Sequence, residues 1–137
     1  MNVIELKDIV KAYVMGDTTV YALNHITVNF EKGKFTSIVG PSGSGKSSLM
    51  NVLGCLDRPT SGHYILEGKD IAQYSDDELA HTRNARIGFV FQSFNLLSRL
   101  TAVENVALPL IYAGVGLKER TERAEKALQE VGLGERM

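Results

Sequence analysis

Apolar positions first follow a strand-like pattern along this chain and change to a helical one only further on. Val3-Ile4-Glu5-Leu6 opens an extended run that continues toward Tyr13-Val14, and Met15-Gly16-Asp17 then supplies a turn. Apolar character resumes at Val20-Tyr21-Ala22-Leu23, and Ile26-Thr27-Val28-Asn29-Phe30 alternates with period two, as a half-buried strand does. Glu31-Lys32-Gly33-Lys34 turns the chain into Phe35-Thr36-Ser37-Ile38-Val39, a short β-branched run predicted to be a buried strand. Lys46 to Leu53 has helix formers and no proline, so a helix is expected there. After the loop Asp57-Arg58-Pro59-Thr60-Ser61-Gly62, the run His63-Tyr64-Ile65-Leu66 predicts another strand, closed by the turn Glu67-Gly68-Lys69-Asp70.

The second half changes period. Ser75-Asp76-Asp77-Glu78 is a capping box that starts a helix toward Arg83, and its three carboxylates serve the helix N-terminus. Ile87-Gly88-Phe89-Val90-Phe91 predicts a second buried strand ending at Gln92. Thr101-Ala102-Val103-Glu104 is another capping box, with Val103, Val106, Ala107 and Leu110 at helical spacing and Pro109 expected to kink or end that helix. Lys118 to Val131 predicts an amphipathic helix with an apolar stripe of Ala124, Ala127, Leu128 and Val131. Glu119/Arg123 and Glu122/Lys126 pair along it, and Gly132 is the stop.

Between the Phe35–Val39 run and the next helix lies Gly40-Pro41-Ser42-Gly43-Ser44-Gly45-Lys46-Ser47, the pattern G-x-x-x-x-G-K-[ST]. Gly43 and Gly45 allow positive φ, so successive N–H groups can turn toward an anion at the positive end of the following helix. Lys46 supplies a cation for terminal phosphates and the Ser47 hydroxyl can bind Mg²⁺. This chemistry is that of a Mg²⁺-nucleoside triphosphate site.

Composition trims the alternatives. The chain has 137 residues, the size of one domain, with 15 Lys+Arg against 16 Asp+Glu and a formal net charge of -1. No basic field recruits nucleic acid, which is therefore not an expected partner. The single cysteine, Cys55, cannot form an internal disulfide and is expected to sit buried as a small apolar residue, which fits a reducing compartment. His25, His63 and His81 lack metal-ligand spacing. The N-terminus has no signal-peptide pattern, and the most apolar later stretch, Val106 to Leu117, carries Pro109, Gly114 and Gly116 and is too short for a bilayer. A cytoplasmic protein is expected, reaching a membrane only through a partner.

The loop Gly40–Ser47, Tyr13 upstream of it, and the runs Asn51 to Gly62, Ile87 to Leu96 and Leu100 to Val106 together resemble the ATP-binding subunits of ABC transporters. The similarity is greatest to the branch serving lipoprotein-release and macrolide-export systems, and it covers essentially the whole chain. It implies an α/β P-loop NTPase core with an N-terminal antiparallel β-subdomain at 1–34, the P-loop core at 35–92 and the start of a helical subdomain at 93–137. It also implies that Tyr13 stacks on adenine and that Gly40, Pro41, Ser42, Gly43, Ser44, Gly45, Lys46, Ser47 and Ser48 cradle the triphosphate of ATP. Ser48 stands where the family often has threonine, and a hydroxyl is kept. Lys46 then contacts the phosphates, Ser47 binds Mg²⁺, and Gln92 reaches Mg²⁺ and the attacking water through a neutral amide. Phe94, Leu96, Leu97 and Leu100 are expected in the subdomain core first, and in a docking groove for a membrane subunit second.

The implied partners are a transmembrane transporter subunit or domain and a second ATP-binding subunit, with the protein peripheral at the inner face of the membrane. The family's Leu-Ser-Gly-Gly-Gln signature, Walker B carboxylates and switch histidine do not occur in the 137 residues. Phosphoryl transfer needs clamped phosphates, a metal held from both sides and an activated water, and no residue here supplies the base. The expectation is the N-terminal part of a transport ATPase that binds nucleotide weakly and hydrolyses little or none on its own. A non-hydrolysing nucleotide-binding or docking fragment is the alternative. A GTPase is disfavoured, because the guanine-reading Asn-Lys-x-Asp element is absent.

Overall fold

The computed structural model describes residues 1–136, which fall into two compact units, Met1–Arg83 and Asn84 onward. The first is built on a hairpin. β1 (Asn2–Met15) and β2 (Thr18–Glu31) pair antiparallel around the Gly16 turn, where φ is +63°. β3 (Ser61–Leu66) joins the other edge of β1, and β4 (Lys69–Asp70) follows through the Glu67-Gly68 turn, giving the order β2-β1-β3-β4. Alternation appears as read: Ile26, Val28 and Phe30 are half-buried while Thr27 and Asn29 are exposed. One β1 face and the helix α1 (Lys46–Leu53) enclose a core of Leu6, Ile9, Leu23, Val52, Cys55, Tyr64, Leu66 and Ile71. The Tyr64 hydroxyl, buried there, donates to the Leu53 carbonyl at 2.7 Å. Burial, followed by the adjacent Cys55, raises its pKa.

The sheet is bent where β1 bulges. Register shifts between Leu6 and Ile9, Asp8 takes φ +54°, and its N–H is met by Thr27 Oγ1 at 3.0 Å. Opposite the bulge Gly62 has φ +98°, and a Cβ there would lie 2.4 Å from the Asp8 carbonyl oxygen. Gly62→Ala should therefore combine a left-handed backbone cost with overpacking, about 2–5 kcal/mol in urea unfolding. A loss under about 1 kcal/mol would mean that the bulge relaxes freely.

Local signals were read correctly at both capping boxes. Ser75 Oγ accepts from Glu78 N–H at 3.2 Å while Glu78 Oε2 accepts from Ser75 N–H at 2.7 Å, heading α2 (Asp76–Arg86). In the second unit Thr101 and Glu104 do the same for α3 (Ala102–Tyr112). α3 packs on α4 (Leu117–Glu130) through the buried Ala107, Ala124 and Leu128. The Glu119–Arg123 pair forms at 3.6 Å, and α4 gives way to Gly132 at φ +78°.

Several expectations fail. Phe35–Val39 forms no strand: it enters no ladder, and Phe35 is 96% exposed. Ile87–Phe91 likewise is unpaired, with Val90 96% exposed, although the Phe89 and Phe91 rings lie 4.6 Å apart. Apolar runs of this kind become strands only beside a neighbour, and neither run enters the described ladder. Of the two outcomes expected at Pro109, an end to the helix does not occur: the residue lies inside α3, which continues to Tyr112. The stop is Gly114, at φ +80°. The α4 stripe is narrower than expected, since Ala127 is exposed and Val131 is 70% exposed. Phe94, Leu96 and Leu97 are exposed rather than core, and the loop before α3 is instead held by Asn105. Its amide nitrogen donates to the carbonyls of Leu97, Leu100 and Thr101, and its oxygen accepts from Leu97 N–H at 2.9 Å.

Candidate nucleotide-binding site

The loop Gly40–Ser47 leaves the exposed Phe35–Val39 segment and runs into α1. Gly43 and Gly45 both adopt left-handed backbone, φ +81° and +94°. At Gly43 a side chain would meet open space, whereas at Gly45 a Cβ would sit 2.4 Å from the Ala22 carbonyl oxygen of β2. The second glycine is thus required twice, by its dihedral and by the strand beside it. Gly40 is close-packed more softly, with its missing Cβ 2.8 Å from Ser44 Oγ. That hydroxyl donates to the Pro41 carbonyl at 2.7 Å, and Ser44 N–H reaches the same oxygen at 3.2 Å. The loop is folded on itself.

Gly45 is also the N-cap of α1, which begins with no side-chain cap and no acidic residue in its first turn. α2 and α3, by contrast, spend Ser75/Glu78 and Thr101/Glu104 on their first turns. The positive end of α1 is left without a side-chain acceptor from the protein. Ser42, Gly43, Gly45, Lys46, Ser47 and Ser48 face Val20, Tyr21 and Ala22 of β2 across a cleft of about 520 Å³. The Lys46 ammonium lies over the loop and donates to the carbonyls of Gly40 and, at 2.8 Å, Pro41. A glycine cradle, an uncapped helix start, a cation and two adjacent hydroxyls form a donor set that fits a Mg²⁺-triphosphate.

Tyr13 lies near the end of β1, with Val20 as its cross-strand partner, and is 38% exposed. Its hydroxyl donates to Asp57 Oδ2 at 3.0 Å. Asp57 Oδ1 accepts from Lys11 Nζ at 3.0 Å and from Arg58 N–H at 2.9 Å. Burial pushes the Asp57 carboxyl up, but the hydrogen bonds from Lys11, Tyr13 and Arg58 outweigh it and hold the group below the usual carboxylate range. Sequence reading singled out Tyr13 and missed Lys11 and Asp57. Those two lie 46 residues apart, and nothing local marks them as partners.

Gln92 belongs to the second unit, in an exposed bend followed by Asn95 at φ +50°. Cys55 is buried, as expected, and burial raises its thiol pKa. His25 and His63 are surface residues bonded to Asp8 and Asp70, and no cluster of three or more metal-ligating side chains occurs among the described residues. No helix among the described residues is long and apolar enough to cross a membrane.

The fold is that of a P-loop NTPase, an α/β protein with an N-terminal antiparallel sheet. The chain belongs to the ABC transporter family, whose family model matches residues 23–137. It is 57% identical over 134 residues to the uncharacterized ABC transporter ATP-binding protein YknY of Bacillus subtilis, covering 98% of this chain and 58% of that protein. It is 52% identical over 133 residues to the macrolide export ATP-binding/permease protein MacB of Mannheimia succiniciproducens, covering 97% of this chain and 21% of that one. The dimeric structure of a post-hydrolysis state of the ATP-binding cassette MJ0796 bound to ADP and Pi superimposes with a TM-score of 0.85 at 46% identity. That match covers 92% of this chain and 56% of the other. The chain thus spans little more than half the length of YknY and of the MJ0796 cassette.

Proposed function

We propose that this chain is the nucleotide-binding part of an export or membrane-extraction transporter, holding Mg-ATP in the loop Gly40–Ser48. The observation that carries this reading is the left-handed Gly45, pressed on Ala22 at the uncapped start of α1, with Lys46 lying over the loop. In this reading the loop amides and Lys46 hold the phosphates, Ser47 and Gln92 hold Mg²⁺, and Tyr13 carries the adenine. Bound Mg²⁺ supplies charge neutralisation on the phosphate oxygens. The assignment of 1–34 to a β-subdomain, 35–92 to the P-loop core and 93–137 to the start of a helical subdomain belongs to the same proposal.

A transmembrane partner and a second ATP-binding subunit complete the assembly, which places the chain at the cytoplasmic face of a membrane. The exposed Phe94, Leu96 and Leu97 suit the membrane partner's docking surface. Macrolide export is the substrate class that fits the MacB relatives, and lipoprotein release is the second class within the same proposal. Since ATP splitting also needs a base to activate water, the 137-residue chain is expected to bind Mg-ATP weakly and without sustained turnover. Calorimetric titration with Mg-ATP and Mg-GTP and a steady-state phosphate-release assay test both halves. Saturable binding that favours ATP, with release at background, is expected. A clear GTP preference would overturn the Tyr13 role, and turnover that vanishes in Lys46→Ala would overturn the non-hydrolysing half.

A further inference from the structure

Tyr13 is not a free-standing aromatic. The loop that follows α1 is docked edge-on to β1, with Thr60 N–H on the Val10 carbonyl at 2.7 Å and Thr60 Oγ1 on Ala12 N–H at 2.9 Å. These two bonds straddle Lys11 and bring Asp57 to the strand. Asp57 then ties the phenol hydroxyl at 3.0 Å and the Lys11 ammonium at 3.0 Å with its two oxygens, and the ammonium stands 5.1 Å from the Tyr13 ring centroid. Lys11 is itself well packed, its side chain only 14% exposed, so the cation is held where it is. The hydroxyl edge of the ring is tethered and the ammonium lies over one face, while the residue as a whole stays 38% exposed.

We propose that Asp57, backed by Lys11, is a positioning residue that fixes the plane of the Tyr13 ring for stacking of a purine base. The proposal rests on the reading of Tyr13 as the base platform. A flat partner gains from a platform in proportion to how little freedom the platform loses on binding. Ordering an interface side chain costs about two- to tenfold in affinity, and the tether removes that cost beforehand. Arg58 N–H on the same carboxylate, at 2.9 Å, holds the tether's own rotamer.

The test compares Mg-ATP with Mg-tripolyphosphate, which has the same three-phosphate chain with one further ionisable oxygen and no base. Asp57→Ala and Tyr13→Phe remove the same hydroxyl–carboxylate bond from opposite sides. Each is expected to weaken Mg-ATP about two- to tenfold and leave Mg-tripolyphosphate unchanged, and the double variant should be no weaker than the worse single one. Tyr13→Phe removes one oxygen atom and keeps the ring, so it stays informative even where Asp57→Ala disturbs folding. Equal weakening of both ligands by Tyr13→Phe, or independent effects that multiply in the double variant, would overturn the proposal. Tyr13→Ala separates the two layers. If it weakens Mg-ATP while Tyr13→Phe and Asp57→Ala do not, the tether is wrong and the platform stands. If it leaves Mg-ATP unchanged, both fail together.

Discussion

Gly45→Ala is expected to destabilise the first unit by about 2–5 kcal/mol and to abolish measurable binding of Mg-ATP. Two costs add. An L-residue in the left-handed region costs about 1–2 kcal/mol, and Gly45 sits there at φ +94°. The new Cβ would also stand 2.4 Å from the Ala22 carbonyl oxygen and 3.4 Å from Leu23 Cδ2. Backbone must move to relieve the first of these, at a further cost of about 1–3 kcal/mol. Gly43→Ala is the matched control. It carries the same dihedral penalty at φ +81° but meets no atom within 4 Å, so its loss should stay near the lower figure. Urea unfolding of both variants beside the unaltered chain measures the difference. Equal losses would show that β2 does not press on the loop, and the close approach would then have no part in shaping the cradle.

The same contrast shows what a sequence can and cannot announce. The left-handed glycines, the two capping boxes and the Gly132 stop depend on residues within a turn of one another, and each was legible from spacing alone. The hairpin of β1 and β2 was legible for a related reason, since alternation and the Gly16 turn specify it locally. Phe35–Val39 and Ile87–Phe91 were misread because a run of apolar, β-branched residues records a demand for burial without providing the neighbouring strand. The exposed Phe94, Leu96 and Leu97 make the same point on a loop: an apolar side chain is not core until something covers it. At the site, the phosphate loop is contiguous and could be read residue by residue. The partners of Tyr13 could not. Asp57 reaches β1 only because Thr60 docks its loop there, a relation between segments more than forty residues apart. Pro109 lies between these cases. It forgoes one helical hydrogen bond, yet the next turn still closes through Ala113 N–H on the Pro109 carbonyl at 3.1 Å, so the helix does not end there.

Lys46→Ala should separate binding from folding in a way that Gly45→Ala cannot. The ammonium contacts two loop carbonyls, those of Gly40 and Pro41, both in exposed residues. Water can take over at those oxygens once the side chain is gone, so the stability change should stay within about 0.5 kcal/mol. Binding should respond differently. A hydrogen bond to a charged partner contributes about 1.5–3 kcal/mol, which converts to a loss of about 10- to 150-fold in affinity for Mg-ATP. Mg-tripolyphosphate should lose a similar factor, because Lys46 is assigned to the phosphates and not to the base. Lys46→Arg keeps the charge on a broader planar group, and recovery should be partial at best, since a fork-shaped guanidinium cannot take the place of a compact ammonium inside a tight glycine loop. Calorimetric titration gives the affinities and urea unfolding the stability. Unchanged affinity in Lys46→Ala would remove the cation from the site. A loss of stability as large as the loss of binding energy would make its bonds to Gly40 and Pro41 a brace for the loop, and the phosphate role would then fall to the amides at the start of α1.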